Sequence, residues 1–190
     1  MWRRSLQRWK NNSHKPLWLV IFSISAGLAT SKVAHSQAPP HHEERPEWKA
    51  FYASQKLYQD RGTEALTAEA TLEKKDKCKD AVTTLDISEC ESRLFDSTKR
   101  NYLAYVRAIG ALLRLAEPGA VSEKDLPPNA GAAFDATEAL WIKYRDSECE
   151  SGGNIYWGGT MRPVAILGCE VMLTQQHIHD LQKIYTDLWS

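Results

Sequence analysis

PVAILGCEVMLTQQHIHDLQKIYTDL, residues Pro163 to Leu188, decides the architecture. Val164, Leu167, Val171, Thr174, Ile178, Leu181, Tyr185 and Leu188 recur at alternating steps of three and four, the period that lines one face of an α-helix. Pro163 suits the first turn, where a missing N–H costs no helix hydrogen bond. A stripe of this length must be covered by other elements. A second one supplies cover: Phe95, Thr98, Tyr102, Tyr105, Ile109, Leu112 and Ala116, with Ser88 and Glu91 at capping-box spacing ahead and Pro118-Gly119 as the stop. A third helix is expected from about Ala132 to Cys149, with Ala133, Thr137, Leu140 and Tyr144 inward and Trp141 beside them. Upstream, Pro46 to Asp60 (Trp48, Phe51, Tyr52, Tyr58) reads as a short helix ended by Arg61-Gly62, and Glu64 to Lys77 as another. Gly119 to Asn129, with Pro127 and Pro128, reads as an exposed connection. No alternating strand pattern occurs. The expected fold class is all-α, a disulfide-stapled antiparallel bundle of about four to five helices.

The first 36 residues have the order of an export signal. Arg3, Arg4, Arg8, Lys10, Lys15 and Lys32 come without any acidic residue, around an apolar run from Leu17 to Ala29 that is too short for the ~20 residues of a spanning helix. Ala34-His35-Ser36 supplies the small residues of a cleavage site, so a Sec-type signal peptide over 1–36, cut near Ser36, is expected, with an uncleaved anchor as the competing reading. No cysteine follows the apolar run to carry a lipid. Residues 37–46, with Pro39-Pro40 and His41-His42-Glu43-Glu44, read as a flexible lead-in, 47–77 as an N-terminal helical extension and 78–190 as the main helical domain. The location implied is periplasmic or secreted, with no stable membrane anchor after cleavage.

Charge narrows the partners. The whole chain is neutral, with 24 basic and 24 acidic residues; taking away the six basic residues of the signal leaves a net of −6. Such a surface lacks the basic footprint of a nucleic-acid binder and favours encounter with cationic proteins. Cys78, Cys90, Cys149 and Cys169 are the entire thiol content, and an even count in an exported chain implies two disulfides. Three connectivities are open. Local pairing, Cys78 with Cys90 and Cys149 with Cys169, is preferred because each bond closes a short polar connection beside helical segments. No close C-x-x-C pair exists to suggest zinc, and neither a metal nor a cofactor is expected. His177 and His179 are two apart and face different sides of a helix. No G-x-S-x-G, Walker or H-E-x-x-H pattern is present, so no catalytic residue is assigned and an enzyme is the least supported class.

Between the last two cysteines lies Ser151 to Thr160, rich in glycine and holding Ile155, Tyr156 and Trp157. Apolar and aromatic side chains on a glycine-rich backbone are the composition of an interface anchor, and these three are the partner-binding candidates. The competing reading folds them back as a lid on the bundle.

The motifs converge on a family. Cys78, Ser88-Glu89-Cys90, Tyr105, the block Trp141-Ile-Lys-Tyr144-Arg145-Asp146-Ser-Glu-Cys149, Gly158-Gly159-Thr160-Met161, Cys169 and Leu173-Thr174 together resemble the lysozyme-inhibitor LprI-like N-terminal domain family of exported bacterial proteins. The resemblance spans roughly Cys78 to Leu181, and the block Trp-x-x-Tyr-Arg-Asp-x-x-Cys is its specific element. It implies a helical, disulfide-bonded domain with inhibition of host lysozyme as the activity; with no catalytic motif and an exposed-loop candidate at Ser151 to Thr160, the expected reading is a non-enzymatic binding protein whose partner is a protein, c-type or another lysozyme, inhibited by occlusion of its cleft. A periplasmic scaffold or envelope-stress interaction protein without lysozyme activity is the alternative. The chain departs from the pattern after Leu173-Thr174, where Gln175, Gln176 and His177 stand in place of the usual arginine, and before the helix tyrosine, where Asn101-Tyr102 replaces Leu-Asn.

Overall fold

A computed structural model describes residues 45–75, 78–115, 118 and 130–189. The expected signal peptide, most of the lead-in, Ala116 and the connection 119–129 lie outside these residues. Four helices follow in order: α1 Pro46–Glu73, α2 Thr84–Leu113, α3 Ala130–Gly153 and α4 Arg162–Ile184, with short 3-10 turns at Asn154–Tyr156 and Thr186–Trp189. No strand occurs among the described residues, and none of these helices is long and apolar enough to cross a membrane.

α2 is the central element, packed against α1, α3 and α4. Its stripe falls where the spacing predicts: Thr98, Tyr102, Tyr105, Ile109 and Leu112 are buried. α4 contributes Val171, Thr174, Ile178 and Leu181 to the same interior, and Ala65 of α1 and Phe134 of α3 close the cluster. Each fully buried Ile, Leu or Phe contributes about 1.5–3 kcal/mol relative to an exposed one, and these seams carry the bundle.

Local expectations need correction on three of the helices. The long helix is capped by Thr83 and Asp86, one turn before Ser88: the Thr83 hydroxyl accepts from Asp86 N–H at 3.1 Å and the Asp86 carboxylate accepts from Thr83 N–H at 3.0 Å. Those hydrogen bonds, the Thr83 backbone one first, hold the Asp86 carboxyl below its ordinary value. The helix also ends at Leu113, earlier than Pro118-Gly119 suggests.

Residues 46–73 are one helix. Gly62 is a seat, since a Cβ there would come within 2.5 Å of the Trp189 ring. The indole donates to the Gln59 carbonyl at 3.3 Å and the Gln59 amide donates to the Leu188 carbonyl at 2.9 Å, so the C-terminal turn docks onto α1 at the glycine.

On α3 the inward face is misassigned by apolarity. Phe134, Glu138, Arg145 and Cys149 are buried, while Ala133 and Thr137 face solvent and Leu140 and Tyr144 are 66% and 56% exposed. The helix also runs on to Gly153, which puts Arg145 two turns from the end and outside the last turn. Polar groups hold this helix face, and the reason lies in what they touch.

Candidate functional site

Three buried polar residues tie the helices together. Arg145 is 3% exposed; its guanidinium donates to the Asp146 carboxylate at 2.9 and 2.6 Å and to the Thr174 hydroxyl at 3.2 Å, and lies over the rings of Phe95 and Trp141 at 5.2 and 5.4 Å. Thr174 in turn donates to the Glu170 carbonyl at 2.6 Å. A planar five-donor cation suits a position bounded by two ring faces, a carboxylate and a hydroxyl. Burial raises the Glu170 carboxyl above its ordinary value, with the charge of Arg145 opposing the shift.

The second tie is Glu138. Its carboxylate accepts from the Tyr102 hydroxyl at 2.8 Å and meets His177 Nε2 at 2.9 Å, and the Trp141 ring stacks on the imidazole at 3.9 Å and 7°. Burial, reinforced by the hydrogen bond and charge of Glu138, pushes the Tyr102 phenol far above its ordinary range. The third is Glu69 of α1, which accepts from Thr98 at 2.9 Å, Asn101 at 2.8 Å and Gln175 at 2.8 Å. Gln175 and His177, where the sequence departs from the expected arginine, therefore each reach a buried carboxylate. Both carboxylates were missed by sequence reasoning, because their burial is set by donors on other helices that no local pattern reveals.

This arrangement joins the helices to one another. Each donor that meets Glu69 or Glu138 comes from another helix, and the Glu138–His177 pair is enclosed by Tyr102 and Trp141. At the groove between α1 and α4, His179 meets Glu73 at 3.0 Å, and the nearby Thr63 and Thr67 hydroxyls are both bonded to helix carbonyls one turn back. Among the described residues no group of three or more His, Cys, Asp or Glu has the arrangement of a metal site.

The tip between α3 and α4 is the contrasting feature. Cys149 and Cys169 are bonded with Cα atoms 5.4 Å apart, and Cys78 and Cys90 with 5.9 Å, which is the local pairing. Beyond Cys149, Gly153 lets the helices meet, because a Cβ there would lie 2.4 Å from Ile166. The chain then makes its 3-10 turn. Trp157 N–H donates to the Asn154 carbonyl at 3.2 Å and Gly159 N–H to the Tyr156 carbonyl at 2.9 Å, and Gly158 takes a φ of +75° that residues with a Cβ rarely adopt. Gly158 and Gly159 of the motif thus form the turn itself. Ile155 is 82% exposed, Trp157 76% and Tyr156 47%, so the lid arrangement is not adopted. The outward positions of the last α3 turns carry Asp146, Glu148 and Glu150. The motif residues divide accordingly: Trp141, Arg145, Asp146, Cys149, Cys169 and Thr174 form the α3–α4 seam, Tyr144 faces outward, and the two glycines shape the tip.

Comparison with known proteins adds the family. An uncharacterised protein of Rhizobium meliloti (strain 1021) is 27% identical over 113 residues, covering 56% of this chain and 77% of that protein. No solved structure gives a significant match. The profile of the lysozyme inhibitor LprI family matches residues 75–181, from just after α1 to near the end of α4. More than half of the chain lies within that match, and the chain belongs to the lysozyme inhibitor LprI family.

Proposed function

We propose that this chain is an exported, non-enzymatic protein that binds a lysozyme and blocks its substrate cleft with the Ile155, Tyr156 and Trp157 tip. The observation that carries this reading is the exposure of three consecutive apolar side chains on a hydrogen-bonded turn next to a disulfide, within a family described as lysozyme inhibitors. Large aromatic groups left in water are unfavourable for an isolated protein and are the usual anchors of protein interfaces. The tip needs little ordering on binding, which reduces the entropic cost of association. The net charge of −6 over residues 37–190 favours a cationic enzyme and would speed encounter at low salt; Glu148 is exposed near the tip, while Asp146 and Glu150 are already paired with Arg145 and Arg162. Export agrees with the signal-like order of the first 36 residues and with two disulfides.

The test is a lysozyme lysis assay with the oxidised protein lacking residues 1–36. Inhibition that saturates with added protein is expected; undiminished lysis of cells by c-type lysozyme at large molar excess would sink the reading.

A further inference from the structure

We propose that Arg162 is the positioning residue of the tip, holding Trp157 in its outward pose before any partner arrives. Arg162 opens α4, immediately after the turn, and its guanidinium makes an ion pair with Glu150 from the end of α3. The same guanidinium lies over the Trp157 ring at 5.3 Å and reaches the Asn154 side-chain carbonyl at 3.5 Å. Asn154 begins the 3-10 turn and Trp157 ends it, so one side chain touches both ends of the segment that displays Ile155 and Tyr156.

Glu150 fixes where the cation sits and the cation fixes the ring. The Nε of Arg162 is buried without a hydrogen-bond partner among the described residues, and its Cγ lies 3.7 Å from where a Cβ on Gly153 would stand, so the stem is packed against the end of α3. With Trp157 three-quarters exposed, the apolar surroundings that normally hold an indole are largely missing. The guanidinium face replaces them, since Arg stacks on aromatic rings while a Lys ammonium is a compact point charge. The inference rests on the proposed anchor role only for its effect on binding; the positioning itself is a property of the free protein.

The experiment labels the oxidised protein lacking residues 1–36 with 5-fluorotryptophan, identifies the Trp157 fluorine resonance through Trp157→Phe, and follows it with amide exchange of Trp157 and Gly159. In Arg162→Lys and Glu150→Gln the Trp157 resonance should move toward the solvent-exposed position. Exchange of the two amides should quicken about ten-fold, with the thermal midpoint nearly unchanged. Where the wild type inhibits lysozyme, Arg162→Lys should weaken inhibition about three- to five-fold, the size of one exposed cation–π contact. An unmoved Trp157 resonance and unchanged exchange in both variants would overturn the positioning role. A wild type that does not inhibit lysozyme overturns the proposed function and leaves the resonance and exchange results to decide this one.

Discussion

The interior of the bundle and the tip between α3 and α4 reverse the ordinary arrangement of residues. Inside, Glu69, Glu138 and Arg145 are almost fully buried; outside, Ile155 and Trp157 are largely exposed. Both placements oppose transfer free energy, and they have different explanations. Inside, every buried charge meets partners from other helices, so the unfavourable burial is offset by hydrogen bonds that a wrong helix register would break. At the tip, among the described residues, Ile155 is left 82% exposed and the Arg162 guanidinium lies over the Trp157 ring. The interior is therefore closed on itself, whereas the tip leaves its apolar side chains facing solvent, which is what the proposed interface rests on.

Five changes would break or sharpen that contrast. The largest effect is expected from Arg145→Ala, which takes a donor from the Thr174 hydroxyl, leaves a void between Phe95 and Trp141 and removes the cation that faces Asp146; urea unfolding should show a loss of about 3–5 kcal/mol. Replacing Cys149 and Cys169 together by serine should cost about 3 kcal/mol in the chain-entropy picture, read by the same unfolding curve with the Cys78–Cys90 bond intact. Tyr102→Phe removes one of the two donors to Glu138 and should cost about 1–2 kcal/mol, with little loss of helix by circular dichroism.

Glu170 tests the interior through pH. Because burial raises its carboxyl, the folded state holds the proton more tightly than the unfolded state does, so this group's stabilising contribution is complete below 4.5 and is lost as pH rises through the folded value. Glu170→Gln should therefore be more stable than wild type at neutral pH, and the difference should shrink as the solution is acidified; a gap that widens on acidification would contradict the burial argument. The smallest stability effect belongs to the tip: Trp157→Ala should change unfolding free energy by no more than about 0.5 kcal/mol while abolishing most lysozyme inhibition. A Trp157→Ala protein that inhibits like wild type would move the interface elsewhere on the molecule.

Legibility in the sequence followed how each helix is held. α4 and α2 were readable because their inward faces are apolar and long, so the three-four period stands out against polar neighbours. α3 was misread at Leu140 and Tyr144 because its inward face includes Glu138 and Arg145, whose burial is intelligible only once Tyr102, His177 and Thr174 are seen opposite them. Gly62 was misread for a related reason: a glycine that ends a helix and a glycine that receives a tryptophan from 127 positions downstream look alike in one dimension. The aromatic trio was visible as a composition, yet its exposure was not, since anchor and lid have the same residues.

By itself, then, the sequence determined the class of fold, the four cysteines beside helical segments and the motif block that carries the family resemblance. Those properties are local, written in periodicity, spacing and residue type. The pairing of Glu69, Glu138 and Arg145 across helices, the continuity of α1 through Gly62 and the outward pose of Trp157 over Arg162 were decided by tertiary structure alone. The first two depend on groups distant in sequence meeting at hydrogen-bonding or van der Waals distance, and the third on where the turn and the Glu150–Arg162 pair set a ring and a guanidinium only five residues apart; no local pattern reports which pairs will meet.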